Sequence, residues 1–168
     1  MSRGFVKEDD QEEIPIVPPR AHLPEDAFNY VTPNGIAELL AERAELIARR
    51  DSQEANNENE KRIAVNHANA VLLLLDNRIA TATVINISEQ PLEEVKFGAL
   101  VTVKIGKEPT FTQYQIVGVD EADIAKNKIS FISPMARVLM NKKLGDEVVL
   151  HLVGGDKHFR IEAIKYQT

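Results

Sequence analysis

Tyr114-Gln-Ile-Val-Gly-Val-Asp-Glu-Ala-Asp-Ile-Ala-Lys-Asn-Lys-Ile-Ser-Phe-Ile-Ser-Pro-Met-Ala-Arg137 carries the densest fold signal in the chain. It reads as a strand, an acidic turn, a second strand, and then a short helix opened by Ser133-Pro134. A serine before a proline suits a helix start, because the hydroxyl can cap a backbone N–H and proline fits the first helical position. The segment holds no nucleophile, metal-ligand cluster or phosphate loop. Asp120, Glu121 and Asp123 lack the spacing and the glycine of a calcium loop, so they read as a solvated turn.

Around this stretch the period of the sequence is two. Phe97 to Ile105, Phe111 to Val119, Ile129 to Ile132, Val148 to Leu152 and Phe159 to Ile164 alternate or are β-branched. Gly106-Lys107-Glu108-Pro109, the acidic turn and Gly154-Gly155-Asp156 separate them. Pro134 to Met140 is the one helix in this half. Five strands and one helix predict a small, mostly antiparallel α+β domain over residues 95–168.

Upstream the period becomes helical. Thr32 caps, Pro33 opens, and Ile36, Leu39, Leu40, Ala44 and Ile47 follow at helical spacing. A polar stretch from Asp51 to Asn59 contains three asparagines, which favour a turn. A second helix follows from about Glu60 to Ile79, with Ile63, His67, Ala70, Val71, Leu74 and Arg78-Ile79 on its expected inner face. Residues 32–80 therefore predict an antiparallel coiled-coil hairpin, and 81–94 a linker. Residues 1–31 hold four of the eight prolines and seven acidic against three basic side chains, and predict a disordered or extended arm. Its Ile14-Pro15-Ile16-Val17 is a short apolar patch that could dock.

Composition narrows the function. The chain has 168 residues, 43% hydrophobic and 27% charged, with no Cys and no Trp. Disulfides and thiolate metal sites are excluded, and a reducing cytoplasmic setting is expected. The N-terminal residues lack the apolar core of a signal peptide, and the longest strongly apolar run, Val71 to Leu75, is too short to span a membrane. A net charge of −6 argues against a general salt-driven nucleic-acid binder but leaves room for a basic protein partner. His22, His67, His151 and His158 are scattered, with no partners for zinc binding or hydrolysis.

The order of helical hairpin and strand-rich domain resembles the bacterial Gre transcript-cleavage family. Thr32 to Glu42 is similar to that family's helix opening. Val95-Lys96-Phe97-Gly98-Ala99-Leu100-Val101-Thr102-Val103, the 114–137 stretch and Lys142-Lys143-Leu144-Gly145-Asp146-Glu147-Val148 resemble its C-terminal domain. The resemblance implies an FKBP-like C-terminal domain. It also implies a monomeric, non-enzymatic cofactor that enters the secondary channel of RNA polymerase. Family members dock on a coiled coil of the polymerase's largest subunit, and here Ser133, Pro134, Met135, Arg137 and Leu139 stand in the corresponding helix.

In the family, an Asp and a Glu three residues apart at the hairpin tip help bind Mg²⁺ in the polymerase active site, which then cleaves backtracked RNA. Asp51 and Glu54 keep that spacing. Their neighbours depart from the family pattern, and each arm looks shorter by about a heptad, or roughly 10 Å. Arg49, Arg50, Lys61 and Arg62 flank the turn and are candidate contacts to nascent RNA, or partners in ordinary charge pairing. No metal is expected in the free protein. Two mechanisms stay open, a cleavage stimulator and a non-cleaving occupant of the channel. An FKBP-type prolyl isomerase is the third reading, although the aromatics of the sheet domain (Phe97, Phe111, Tyr114, Phe131, Phe159, Tyr166) follow the strand period as core residues would.

Overall fold

Thr32 and Pro33 start the first helix by the chemistry expected of them. Thr32 has extended backbone, its Oγ1 accepts from Gly35 N at 2.8 Å, and Pro33 takes the first position of α1 (Pro33–Asp51). In the computed structural model, which describes residues 14–167, α1 is followed by a polar turn and α2 (Glu58–Ala80). Asn57 caps α2 by accepting from Glu60 N at 2.8 Å, and Glu58 and Glu60 sit in its first turn, where the helix dipole favours acids.

The helices meet along a seam of threes and fours. Leu39 and Leu46 of α1 share one apolar cluster with Leu75 and Ile79 of α2, and Val65, Ala68 and Leu72 continue the α2 spacing toward the tip. This seven-residue step marks a coiled coil. Leu39, Leu72 and Leu75 are the deeply buried leucines of the two helices. The expected inner face of α2 is corrected here, because Ile63 is 59% exposed and His67 is exposed as well. Val71 to Leu75 is apolar at every position, so periodicity alone cannot say which leucines face α1. Val71 and Leu74 face the N-terminal arm instead.

The arm is tied to the body in its described part; residues 1–13 lie outside the described residues. From position 14 it crosses α2 and ends in β1 (Asn29–Val31), which pairs in parallel with β2 (Ala82–Val84). Ordering comes from Arg20, which bonds Glu42 and Asp120, and from Tyr30, which packs its ring on Phe97 and Phe131. The patch at Ile14 to Val17 is not buried: Ile14 and Ile16 are exposed.

The C-terminal sheet comprises β3 (Ala99–Ile105), β4 (Phe111–Val117), β5 (Lys128–Ser130), β6 (Glu147–Leu152) and β7 (Gly155–Tyr166), in the order β5-β4-β3-β7-β6. All neighbours are antiparallel except β4 and β5. Alternation along β3 puts Ala99, Val101 and Val103 wholly inside, while Leu100, Thr102 and Lys104 lie on the other face. Ile116, Phe159 and Ile161 complete this core, and α3 (Pro134–Leu139) covers it with Ala136 and Leu139. Asn141, in left-handed backbone at φ 66°, follows the helix. Phe111 departs from the expected core set. It stands opposite Lys104 on the outer face and is 60% exposed. Tyr166 ends β7 by donating its hydroxyl to Glu94 O and accepting from Lys96 N, so the linker is sewn to the last strand.

Gly118 marks where the two halves touch. A Cβ there would lie 2.5 Å from Tyr30 O, closer than any side chain allows, so only glycine lets the arm's backbone pass.

Candidate functional site

Three places carry the side chains that the sequence singles out or misses: the hairpin tip, the face of α3, and the junction between the halves.

At the tip, α1 ends with Ser52 N donating to Ala48 O at 3.0 Å. Asp51 is exposed, but its Oδ1 accepts from Arg50 Nε at 3.0 Å. The same guanidinium donates to Asn69 Oδ1 at 3.0 Å and so ties α1 to α2. Arg49 reaches back to Glu45 at 2.7 Å, one turn away, and Arg62 donates to Asn59 at 3.1 Å. Glu54 and Lys61 are exposed and enter no ion pair among the described residues. Of the two tip acids, then, Asp51 is engaged by its neighbour and Glu54 stands open. Carboxylate oxygens are the hard ligands that Mg²⁺ accepts, so Glu54 is the acid most available to a metal held elsewhere. Among the described residues no group of three or more His, Asp or Glu side chains is placed to hold a metal ion.

On α3, Ser133 Oγ accepts from Ala136 N at 3.2 Å and Pro134 takes the first turn. Pro134 and Arg137 are exposed, and Met135 is half-buried against the core. Leu139 is wholly buried, which corrects its expected role as a contact. It holds the helix on the sheet; the outward surface is Pro134, Arg137 and part of Met135.

The acidic turn expected to be solvated is instead folded into the junction. The side chains of Asp120 and Glu121 are 7% and 2% exposed. Glu121 accepts from Thr32 Oγ1, from Asn34 Nδ2 at 3.0 Å and from Lys128 Nζ at 3.2 Å. Asp120 receives Arg20 Nε at 2.9 Å on one oxygen, and Arg78 Nε lies 3.1 Å from the other. That second contact is an ion pair whose N–H is not aimed as a hydrogen bond. Only Asp123 behaves as a turn residue, accepting from Ala125 N at 3.0 Å. Apart from Lys128, the partners come from positions 20 to 78, so the local sequence does not signal them. Their one trace is composition, an arginine isolated in an acidic arm.

Residues 90–166 match the family described as "Transcription elongation factor, GreA/GreB, C-term". The transcription elongation factor GreA of Bradyrhizobium sp. is 38% identical over 128 residues, covering 76% of this chain and 73% of that protein. The chain belongs to the GreA/GreB family. The GreA of Sinorhizobium medicae is likewise 38% identical over 129 residues with the same coverage. The GreA of Maricaulis maris is 40% identical over 92 residues, which span 55% of this chain and 59% of that protein. A GreA/GreB factor of Nitrosomonas europaea of known structure aligns over 82% of this chain and 98% of its own, at 17% identity and a TM-score of 0.42. Among the described residues no helix is long and apolar enough to cross a membrane. As a GreA/GreB relative, the chain carries the family's two parts, a helical hairpin and a strand-rich C-terminal domain.

Proposed function

We propose that this chain regulates transcription elongation by binding RNA polymerase at its secondary channel, with the sheet domain outside and the hairpin inside. The exposed Pro134 and Arg137, with the edge of Met135, form the docking face for the largest-subunit coiled coil, where Arg137 would meet an acidic side chain. Inside the channel the chain acts as an occupant that does not stimulate cleavage. The observation that carries this reading is the Arg50–Asp51 pair at 3.0 Å, which engages one of the two acids at the family's spacing and leaves only Glu54 of those two open. The rod adds to it, since 19 residues of α1 extend roughly 28 Å at 1.5 Å per residue.

Cleavage stimulation is the second reading, and Glu54 favours it, being exposed and without an ion pair among the described residues. In that case Mg²⁺ is a component of the polymerase complex, and Glu54 supplies a ligand or orients a water. Arg49, Lys61 and Arg62 lie close enough to the tip to meet RNA phosphates, in competition with their partners on the rod. Prolyl isomerase activity draws no support from the aromatics, because Phe97 and Phe131 pack edge to face at 5.6 Å and Tyr30 closes over both.

The test adds the protein to stalled, backtracked elongation complexes. Binding lost on Arg137→Glu, together with competition against a cleaving Gre factor and no short 3′ RNA fragments, is the expected result. Fragments that disappear on Glu54→Ala would replace the occupant by the stimulator. Absence of any polymerase binding would overturn both.

A further inference from the structure

We propose that Arg20 is a positioning residue that locks the hairpin at one angle to the sheet domain, making the N-terminal arm a strap across the junction. Its guanidinium uses all three nitrogens. Nη1 and Nη2 fork onto the two oxygens of Glu42 at 2.8 and 3.0 Å, and Nε donates to Asp120 Oδ1 at 2.9 Å. One side chain thus ties the arm, α1 and the sheet domain together. Arg78 approaches the same carboxylate from α2, and its Nη2 donates to Ala21 O in the arm. Asn29 Nδ2 returns from the arm to Arg78 O at 2.8 Å. The three charged groups at the centre are largely withdrawn from water, with side-chain exposures of 18% for Arg20, 12% for Arg78 and 7% for Asp120.

The leverage follows from where these contacts fall along the rod. Thr32 and Asn34 on Glu121, with Arg78 of α2 on Asp120, hold the hairpin at its base, and a rod held only at its base pivots. Glu42 lies ten residues further on, roughly 15 Å up the helix, and a rod held at two points that far apart keeps its direction. Without the upper point, a swing of about 20° would carry a tip roughly 28 Å from the base through about 10 Å. Lysine cannot replace this fork, since it is a point charge without planar geometry. Burial also discourages opening the cluster, because removing one partner leaves a carboxylate facing an incomplete set of cations. Burial likewise makes the two pairs on Asp120 less sensitive to salt than those of the tip.

The inference concerns the free protein and holds whatever the hairpin enters. The chain has no cysteine, so labels go only where they are placed. Ala55→Cys at the tip and Val153→Cys on the β6–β7 turn, both exposed, take nitroxides in the full chain, and electron–electron double resonance reads their separation. One narrow distribution is expected. Arg20→Ala should at least double its width, and Arg20→Lys should do nearly the same despite keeping the charge. Arg49→Ala, which breaks a pair near the tip, should leave it unchanged. A second label pair across the hairpin, Ala48→Cys with Lys61→Cys, should stay narrow in every variant, which general unfolding would not permit. A distribution in Arg20→Ala superposable on the parent overturns the proposal, as does equal broadening across the hairpin itself. Should Arg20→Ala fail to fold, Glu42→Gln carries the same expectation, and an unchanged distribution there overturns it equally.

Discussion

The two ends of the hairpin are made from the same residue types and behave differently. At the base, Arg20, Arg78, Asp120 and Glu121 are drawn in among Thr32, Asn34 and Lys128, and each bridges distant parts of the chain. At the tip, Arg49, Arg50, Asp51 and Glu45 pair with near neighbours on one rod, and the Arg49–Glu45 pair is 65% and 70% exposed. Charge near the tip is therefore paired locally on the hairpin, whereas charge at the base ties distant segments into the fold. Composition cannot tell the two ends apart; burial does.

The comparison can be broken most forcefully from the sheet domain that anchors the base. Leu139→Ala opens a void beneath α3 in a core with no slack and should cost about 2–5 kcal/mol, measured by chemical denaturation. A loss below 1 kcal/mol would mean that α3 is loosely held and that its docking face is not a fixed surface. Next in size, Thr32→Ala removes the cap of α1 together with a donor to the buried Glu121, and about 1–2 kcal/mol should follow. Hydrogen exchange should then quicken in the first turns of α1 before it does in β3.

A smaller effect appears at high pH. Burial, more than any other influence, raises the Tyr166 hydroxyl above its ordinary value of 10.0, opposed by its bond from the Lys96 backbone. Folded Tyr166 therefore keeps its proton where the unfolded chain has released it. The unfolded state binds fewer protons there, and stability falls as pH rises past 10.0. Tyr166→Phe should remove that alkaline slope while costing about 1 kcal/mol at neutral pH through the lost bond to Glu94 O. Smallest of all, Arg49→Ala should change stability by no more than about 0.5 kcal/mol, as expected of an exposed pair one helical turn apart. A larger loss would erase the contrast between tip and base.

Much of this was legible in the sequence wherever the signal is local. Caps at Thr32 and Ser133 follow from side chains reaching backbone three residues away, whereas Asn57 looks like one more turn residue until it caps α2. The strands follow from alternation, and the turn at Asn141 from asparagine's tolerance of left-handed backbone. What stayed hidden is long-range. Asp120 and Glu121 look like a wet turn until Arg20 arrives from 100 residues away. Pairing of β1 with β2 joins two three-residue strands that no period can reveal. Phe111 has the right parity for a strand, yet parity cannot say which face is inside. Along α2 the apolar run from Val71 to Leu75 hides the seam, because a helix greasy on most of its circumference offers two faces, and here the arm takes the second.

The β1–β2 ribbon has a consequence for how this protein could change over generations. Its register sets Val31 beside Val84, so the fifty residues from Thr32 to Thr81 leave and rejoin the body at neighbouring positions. Such a segment is a cassette. Whole heptads can be added to or deleted from both arms together on the tip side of Glu42 and Val71 without disturbing the ribbon, the strap or the sheet. Reach can thus be inherited as a variable quantity, while the mount beneath it stays the same.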